Sequence, residues 1–313
     1  MRFMLLLLAL SLGAASPGPR YANPVIDHDF PDPAVIRAHD GFYYVYAPHS
    51  AGADGKFRNI AAARSRDLVH WNELADALPI KPTWASKTQD YWAPHVVTDR
   101  ERYLLYFSAK PDAALTDDEQ GLFLAVATAD CPTGRFIDSG RPLQSGPGFD
   151  NIDPMAFNDP ATGSHLVYWG SGLGPIKAQE LAPNRLSFAF GSSPKPLLAP
   201  VKSNDTNEYL RLVEGAWVVR HDGYYYYLFA SGDNCCGAAA HYCVFVARSP
   251  SAMGPFTIQP RPANLVVEGD YKPSDDVNTR RVMLLDSIEW KSGWPVLRGV
   301  HPSSGQRPAP VTQ

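Results

Sequence analysis

Four things are scarce in this sequence, and each absence excludes something. Basic clusters are absent: 28 Lys and Arg stand against 32 Asp and Glu, for a net charge of −4. Proteins that bind nucleic acid neutralise its phosphates, so no nucleic-acid partner is expected. Long apolar runs are absent too. The run from Leu5 to Leu12 falls short of the roughly 18 residues needed to cross a bilayer. Helix start and stop signals are nearly missing. Cysteine is sparse, with Cys131, Cys235, Cys236 and Cys243 spaced unlike zinc ligands.

What is present points to strands. The chain has 15 Tyr, 14 Phe and 7 Trp, with 29 Pro and 24 Gly. That mixture suits short strands and tight turns, and predicts an all-β fold. The N-terminus combines a basic start, the short apolar run and small residues before Pro17, so residues 1–16 read as a secretory signal peptide. A secreted, extracellular chain makes the four cysteines disulfide candidates, with three pairings open. Asn204-Asp205-Thr206 is a glycosylation sequon, which would lie on the surface.

A period of about sixty residues organises the rest. His39-Asp40-Gly41-Phe42-Tyr43-Tyr44-Val45-Tyr46 recurs as His221-Asp222-Gly223-Tyr224-Tyr225-Tyr226-Tyr227-Leu228. Between them, Asp99 and Asp159 open similar polar turns before aromatic runs. Alanine-rich strands follow, two of them ending in Gly134-Arg135-Phe136 and Gly254-Pro255-Phe256. Four short strands per repeat predict the blades of a β-propeller. The blades are expected to begin near Asp32, Trp92, Asp153 and Glu214. In a propeller these starts line one central channel, so distant residues become neighbours.

Three of the four starts are carboxylates. Acids gathered in a channel repel one another, and burial disfavours ionisation, so their pKa values are pushed apart. One can then give a proton while another stays charged, as glycoside hydrolysis requires. Asp40, Asp99, Asp159 and Asp222 are assigned to turns instead.

In order and spacing, Phe30-Pro31-Asp32-Pro33, Tyr91-Trp92-Ala93-Pro94, Ile152-Asp153-Pro154, Val213-Glu214-Gly215 and Ile288-Glu289-Trp290 resemble glycoside hydrolase family 43, especially its arabinan- and arabinofuranoside-cleaving members. The resemblance implies a five-bladed β-propeller over residues 21–300, followed by a C-terminal tail at 301–313. It implies an inverting hydrolase of arabinose- or xylose-containing polysaccharide. Asp32 would be the general base and Glu214 the general acid. Asp153 would orient Glu214 and favour its protonated form. Trp92, and more weakly Phe30, would stack on sugar. Cys235-Cys236 tilts the expectation towards α-L-arabinofuranoside, with β-D-xyloside as the alternative. A monomer without cofactor is expected.

The fifth repeat departs from the pattern. Residues 269–279 lead straight into Arg280-Arg281-Val282-Met283, so roughly twenty residues of a hairpin are missing. An incomplete fifth blade would leave edges unpaired, and a catalytically impaired sugar-binding propeller is the consequence to consider. The family's axial histidine has no counterpart, and no metal is expected.

Overall fold

The structure is a computed structural model that describes residues 18–115, 121–172, 174–202, 209–234, 241–258, 265–268 and 281–312. Among them, four sheets each run as a consecutive antiparallel meander, the arrangement of propeller blades. Blade 1 is Ala34–Arg37, Tyr43–Ala47, Ala61–Ser65 and Trp71–Glu73. Blade 2 is Tyr91–Asp99, Arg102–Ala109, Phe123–Ala129 and Ile137–Asp138. Blade 3 is Met155–Asn158, His165–Trp169, Ile176–Glu180 and Lys195–Leu198. Blade 4 is Val213–His221, Tyr224–Asn234, His241–Ser249 and Thr257–Ile258, with Leu265–Glu268 also paired to its third strand. The fold is all-β, as expected.

The aromatic runs lack polar alternation because each blade is covered on both faces. Along Tyr103-Leu104-Leu105-Tyr106-Phe107, successive side chains enter two different cores. Tyr103, Leu105 and Phe107 join Tyr44 and Tyr46 of blade 1, while Leu104 and Tyr106 join Val167 and Trp169 of blade 3. A strand buried on both faces is apolar throughout. The small Ala61-Ala62-Ala63 run faces the bulky second strand, leaving room for its rings.

One tyrosine of each blade's second strand reaches into the next unit. Tyr46 donates to the Pro132 carbonyl, Tyr106 to Arg185 and Tyr168 to Ala252. Tyr226 of blade 4 donates to the Gly293 carbonyl, in the turn of a further hairpin, Ile288–Lys291 with Trp294–Leu297. The outer face of blade 4 packs on Trp294, through Tyr226 and Val246.

The ring is joined by both chain ends. Met283 bridges Ile26, and Arg307–Pro308 pairs with Arg20–Tyr21. Residues 301–312, set apart as a tail on sequence grounds, are therefore part of the closure. Residues 269–280, where the fifth repeat shortens, lie outside the described residues, as do 1–17, Asn204 and the Cys235-Cys236 pair.

Candidate active site

In each of the four described blades a residue with left-handed backbone stands at or near the start of the innermost strand: Asp32 (φ 43°), Ala93 (φ 44°), Asp153 (φ 57°) and Gly215 (φ 62°). Three of the four precede proline, which disfavours the right-handed helical region for the residue before it. Asp and Gly tolerate the left-handed region, whereas Ala93 adopts it at a cost of about 1–2 kcal/mol. The sequence phase needs a one-residue correction here. Asp32 and Asp153 occupy the left-handed position, but Trp92 and Glu214 come one residue before it. Irregular register after Trp92 and after Glu214 marks the same step. Because neighbouring residues along a strand point to opposite sides, the acid of blade 4 enters the channel from a different backbone position than the two aspartates.

Asp153 and Glu214 are linked directly through the backbone. The N–H of Gly215, the residue after Glu214, donates to Asp153 Oδ2 at 3.0 Å. Burial first, then the charges of Glu214 and Asp32, push the Asp153 carboxyl well above the usual carboxylate range. Asp32 keeps 49% of its side chain open to solvent but is walled by protein on its other sides. That enclosure raises its pKa, opposed by Arg281, whose Nη1 lies 3.4 and 3.5 Å from the two carboxylate oxygens. The three predicted carboxylates thus meet in one electrostatic neighbourhood.

Two residues that sequence reasoning missed complete the surroundings of Glu214. Ser171 Oγ donates to Oε2, and the Tyr242 hydroxyl donates to Oε1. Ser171 lies between the second and third strands of blade 3, and Tyr242 is the second residue of the third strand of blade 4. In a four-strand meander, the second-to-third connection shares a face with the start of the first strand. Searching those connections for hydroxyls would have found both. Gly170 fixes the approach of Ser171: its φ is 132°, its N–H donates to the Ile152 carbonyl at 2.9 Å, and an added Cβ would lie 2.8 Å from the Pro175 oxygen.

The two predicted sugar-stacking residues fare differently. Trp92 is half-buried and parallel to Phe149, with ring centroids 5.9 Å apart and planes 9° from parallel. Phe149 is 53% exposed, an unusual state for a phenyl ring held on a tight turn. Phe30 is 1% exposed and packs with Ile26, Val45, Ala61 and Met283. Its ring belongs to the core beneath Asp32, a correction to the sequence expectation. Its neighbour Pro31 is followed by the left-handed Asp32, whose carboxylate stays about half open to solvent.

His95, on the innermost strand of blade 2, is buried, and burial lowers its pKa to about 4. Its Nδ1 accepts the Ala156 N–H at 3.3 Å, and its ring meets Trp217 edge-on at 5.1 Å. It is a neutral spacer between blades 2, 3 and 4. Among the described residues, no three His, Cys, Asp or Glu are gathered as metal ligands.

Comparison with known proteins agrees with this chemistry. The family model of glycosyl hydrolases family 43 matches residues 21–275. A xylosidase/arabinosidase of Bacteroides ovatus is 25% identical over 270 residues, covering 73% of this chain and 76% of that protein. A probable arabinan endo-1,5-α-L-arabinosidase B of Aspergillus oryzae is 29% identical over 290 residues, covering 80% of this chain and 76% of that protein. The crystal structure of a thermostable family-43 glycoside hydrolase is similar with a TM-score of 0.71 at 22% identity, covering 94% of this chain and 100% of that one, a likeness of fold. On the extent of the family match, this chain is a glycoside hydrolase and belongs to glycosyl hydrolases family 43.

Proposed function

We propose that the chain is a secreted enzyme that cleaves α-L-arabinofuranosidic linkages in arabinan- or arabinoxylan-type polysaccharide, with inversion at the anomeric carbon. One observation carries the reading: three carboxylates from blades 1, 3 and 4 share one channel in three different environments. Asp32 is solvent-reachable and paired with Arg281, which suits a base that meets water. Glu214 is held by hydroxyls on both oxygens, which suits an acid of fixed orientation. Asp153 binds the peptide N–H next to Glu214, which suits a positioning role.

In this mechanism Asp32 takes a proton from water as the water oxygen bonds to the anomeric carbon. The glycosidic C–O bond breaks on the opposite face, and its electron pair goes to the leaving oxygen. Glu214 gives that oxygen its proton. An inverting pair needs roughly 6.5–9.5 Å between carboxyl groups to hold the water. Trp92, extended by Phe149, offers an apolar ring face for the sugar.

The names of the relatives keep a second substrate in view, since the Bacteroides ovatus protein is called both xylosidase and arabinosidase. Secretion is supported by the signal-like residues 1–16, and a monomer is proposed. The ring is read as five-fold, its fifth position filled by residues 281–297 and the N-terminal segment. Support comes from Tyr226, which donates to Gly293 as the other blades' tyrosines donate onward. A ring joined in this way favours an active enzyme over a sugar-binding propeller without turnover.

Hydrolysis of nitrophenyl α-L-arabinofuranoside, nitrophenyl β-D-xyloside and linear arabinan, beside Glu214→Ala, tests the reading. Turnover of the arabinosides that falls at least about 100-fold in the variant is expected. Unchanged turnover in Glu214→Ala would overturn the acid assignment, and binding without turnover in the wild type would favour the sugar-binding alternative.

A further inference from the structure

Glu214 is the only one of the three carboxylates with a side-chain hydroxyl on each oxygen among the described residues. Ser171 comes from blade 3 and Tyr242 from blade 4, so the cradle spans the same blade boundary that Asp153 bridges through Gly215. The serine is 4% exposed and is set by the turn whose Gly170 N–H is bonded to Ile152, the neighbour of Asp153. The tyrosine pairs with Gly232 in the register of blade 4, on the strand adjacent to the one that pairs with Glu214. Both donors are therefore anchored by sheet and turn rather than by the acid they touch.

We propose that Ser171 and Tyr242 are positioning residues that hold the Glu214 carboxyl in its proton-delivering orientation. This rests on Glu214 being the general acid. A hydroxyl that donates to a carboxylate favours the charged form, because the bond is stronger to the anion than to the neutral acid. The other charged or titratable groups around Glu214 are Asp153 and Asp32, the Arg281 guanidinium beside Asp32, and the neutral His95 against Trp217. The two aspartates repel an ionised Glu214, and the two hydroxyls oppose them. The Tyr242 phenol itself stays protonated: burial first and then the charge of Glu214 hold its pKa well above the ordinary value, so it remains a donor throughout the working range. When Glu214 carries its proton, Tyr242 still donates to Oε1 and Ser171 to the second lone pair of Oε2, which leaves the acid O–H directed at the leaving oxygen. Proton transfer to the leaving oxygen then leaves both donors on the anion, an interaction strongest as the bond breaks.

The test is kcat and KM, measured separately, for wild type, Tyr242→Phe, Ser171→Ala and Glu214→Gln. Each is assayed on an unactivated arabinoside linkage and on a dinitrophenyl arabinoside, whose leaving group needs little acid help. Removing either hydroxyl should leave KM on the unactivated linkage nearly unchanged. It should lower kcat there by about tenfold or more, and affect the dinitrophenyl substrate much less. Circular dichroism confirms that each variant is folded; should one fail to fold, the other decides. Equal losses on both substrates in the folded variants would overturn the proposal. Glu214→Gln separates this from failure of the underlying reading. It should lose turnover of the unactivated linkage and keep that of the dinitrophenyl arabinoside, whereas turnover of the unactivated linkage that persists would show that another group is the acid and would remove the proposal with it.

Discussion

Asp153 illustrates how the site opposes the fold at the scale of one residue. Its carboxyl is enclosed by protein and faces the charges of Glu214 and Asp32, both of which raise its pKa. A carboxyl whose folded pKa exceeds its unfolded value contributes stability that is fully present below the unfolded value, near pH 4, and lost as pH rises through the folded value. Above the unfolded value this group therefore holds the native state less stable. Asp153→Asn keeps the left-handed conformation, which Asn tolerates, and still accepts the Gly215 N–H. The variant should be inactive yet melt higher than wild type at pH 7, by about 2 °C for each kcal/mol gained. The gain should fade below about pH 4. Calorimetry across that range checks it, and a lower melting temperature at pH 7 would contradict the electrostatic account. Asp32 and Asp153 were legible in the sequence because both precede proline at the same phase of a repeat. Ser171 and Tyr242 were passed over because no recurring motif marks them: Ser171 meets Glu214 across a blade boundary, and Tyr242 meets it within blade 4. Phe30 was misread for the opposite reason: its place beside a functional residue says nothing about which way its ring turns.

At the scale of elements, the turn before blade 3 links backbone packing to substrate binding. Gly121 N–H donates to the Gly146 carbonyl and Leu122 N–H to Gly148, both at 3.1 Å. A Cβ on Gly121 would lie 1.9 Å from the Gly148 oxygen, a backbone atom that cannot swing aside. That turn carries Phe149 against Trp92 and leads directly to Asp153. Gly121→Ala should displace it, lower stability by about 1–3 kcal/mol and raise KM more than it lowers kcat. A melting curve and steady-state kinetics measure both, and a KM that stays constant would detach Phe149 from substrate binding. Blade strands were legible from the sixty-residue period, because turn chemistry and aromatic runs repeat with it. The one-residue step at Trp92 and Glu214 was hidden, since it depends on backbone torsion at Ala93 and Gly215 rather than on residue type alone.

For the whole molecule, the decisive feature is how the ring is held together. Asn23 donates to the Leu285 carbonyl and Asp286 Oδ2 at 3.1 Å and to Ser303 Oγ at 3.2 Å, and its Oδ1 accepts the Leu285 N–H at 2.8 Å. One side chain thus joins the N-terminal segment, the last hairpin's approach and the chain end. Asn23→Ala should cost about 2–3 kcal/mol by leaving several partly buried groups without partners. Chemical denaturation would show this as a lower midpoint with an unchanged slope, whereas an unchanged midpoint would mean the ring is held elsewhere. The importance of residues 301–312 could not be read from sequence, because a two-residue strand carries no periodic signal.

The central claim is that acids from three blades meet in one channel and divide the work of base, positioning group and acid. Proton NMR of the sugar first released from an α-L-arabinofuranoside, recorded before mutarotation, tests it most directly. The account predicts the β-anomer as the initial product. Release of the α-anomer would mean that a carboxylate attacks the sugar itself, contradicting the roles given to Asp32 and Glu214.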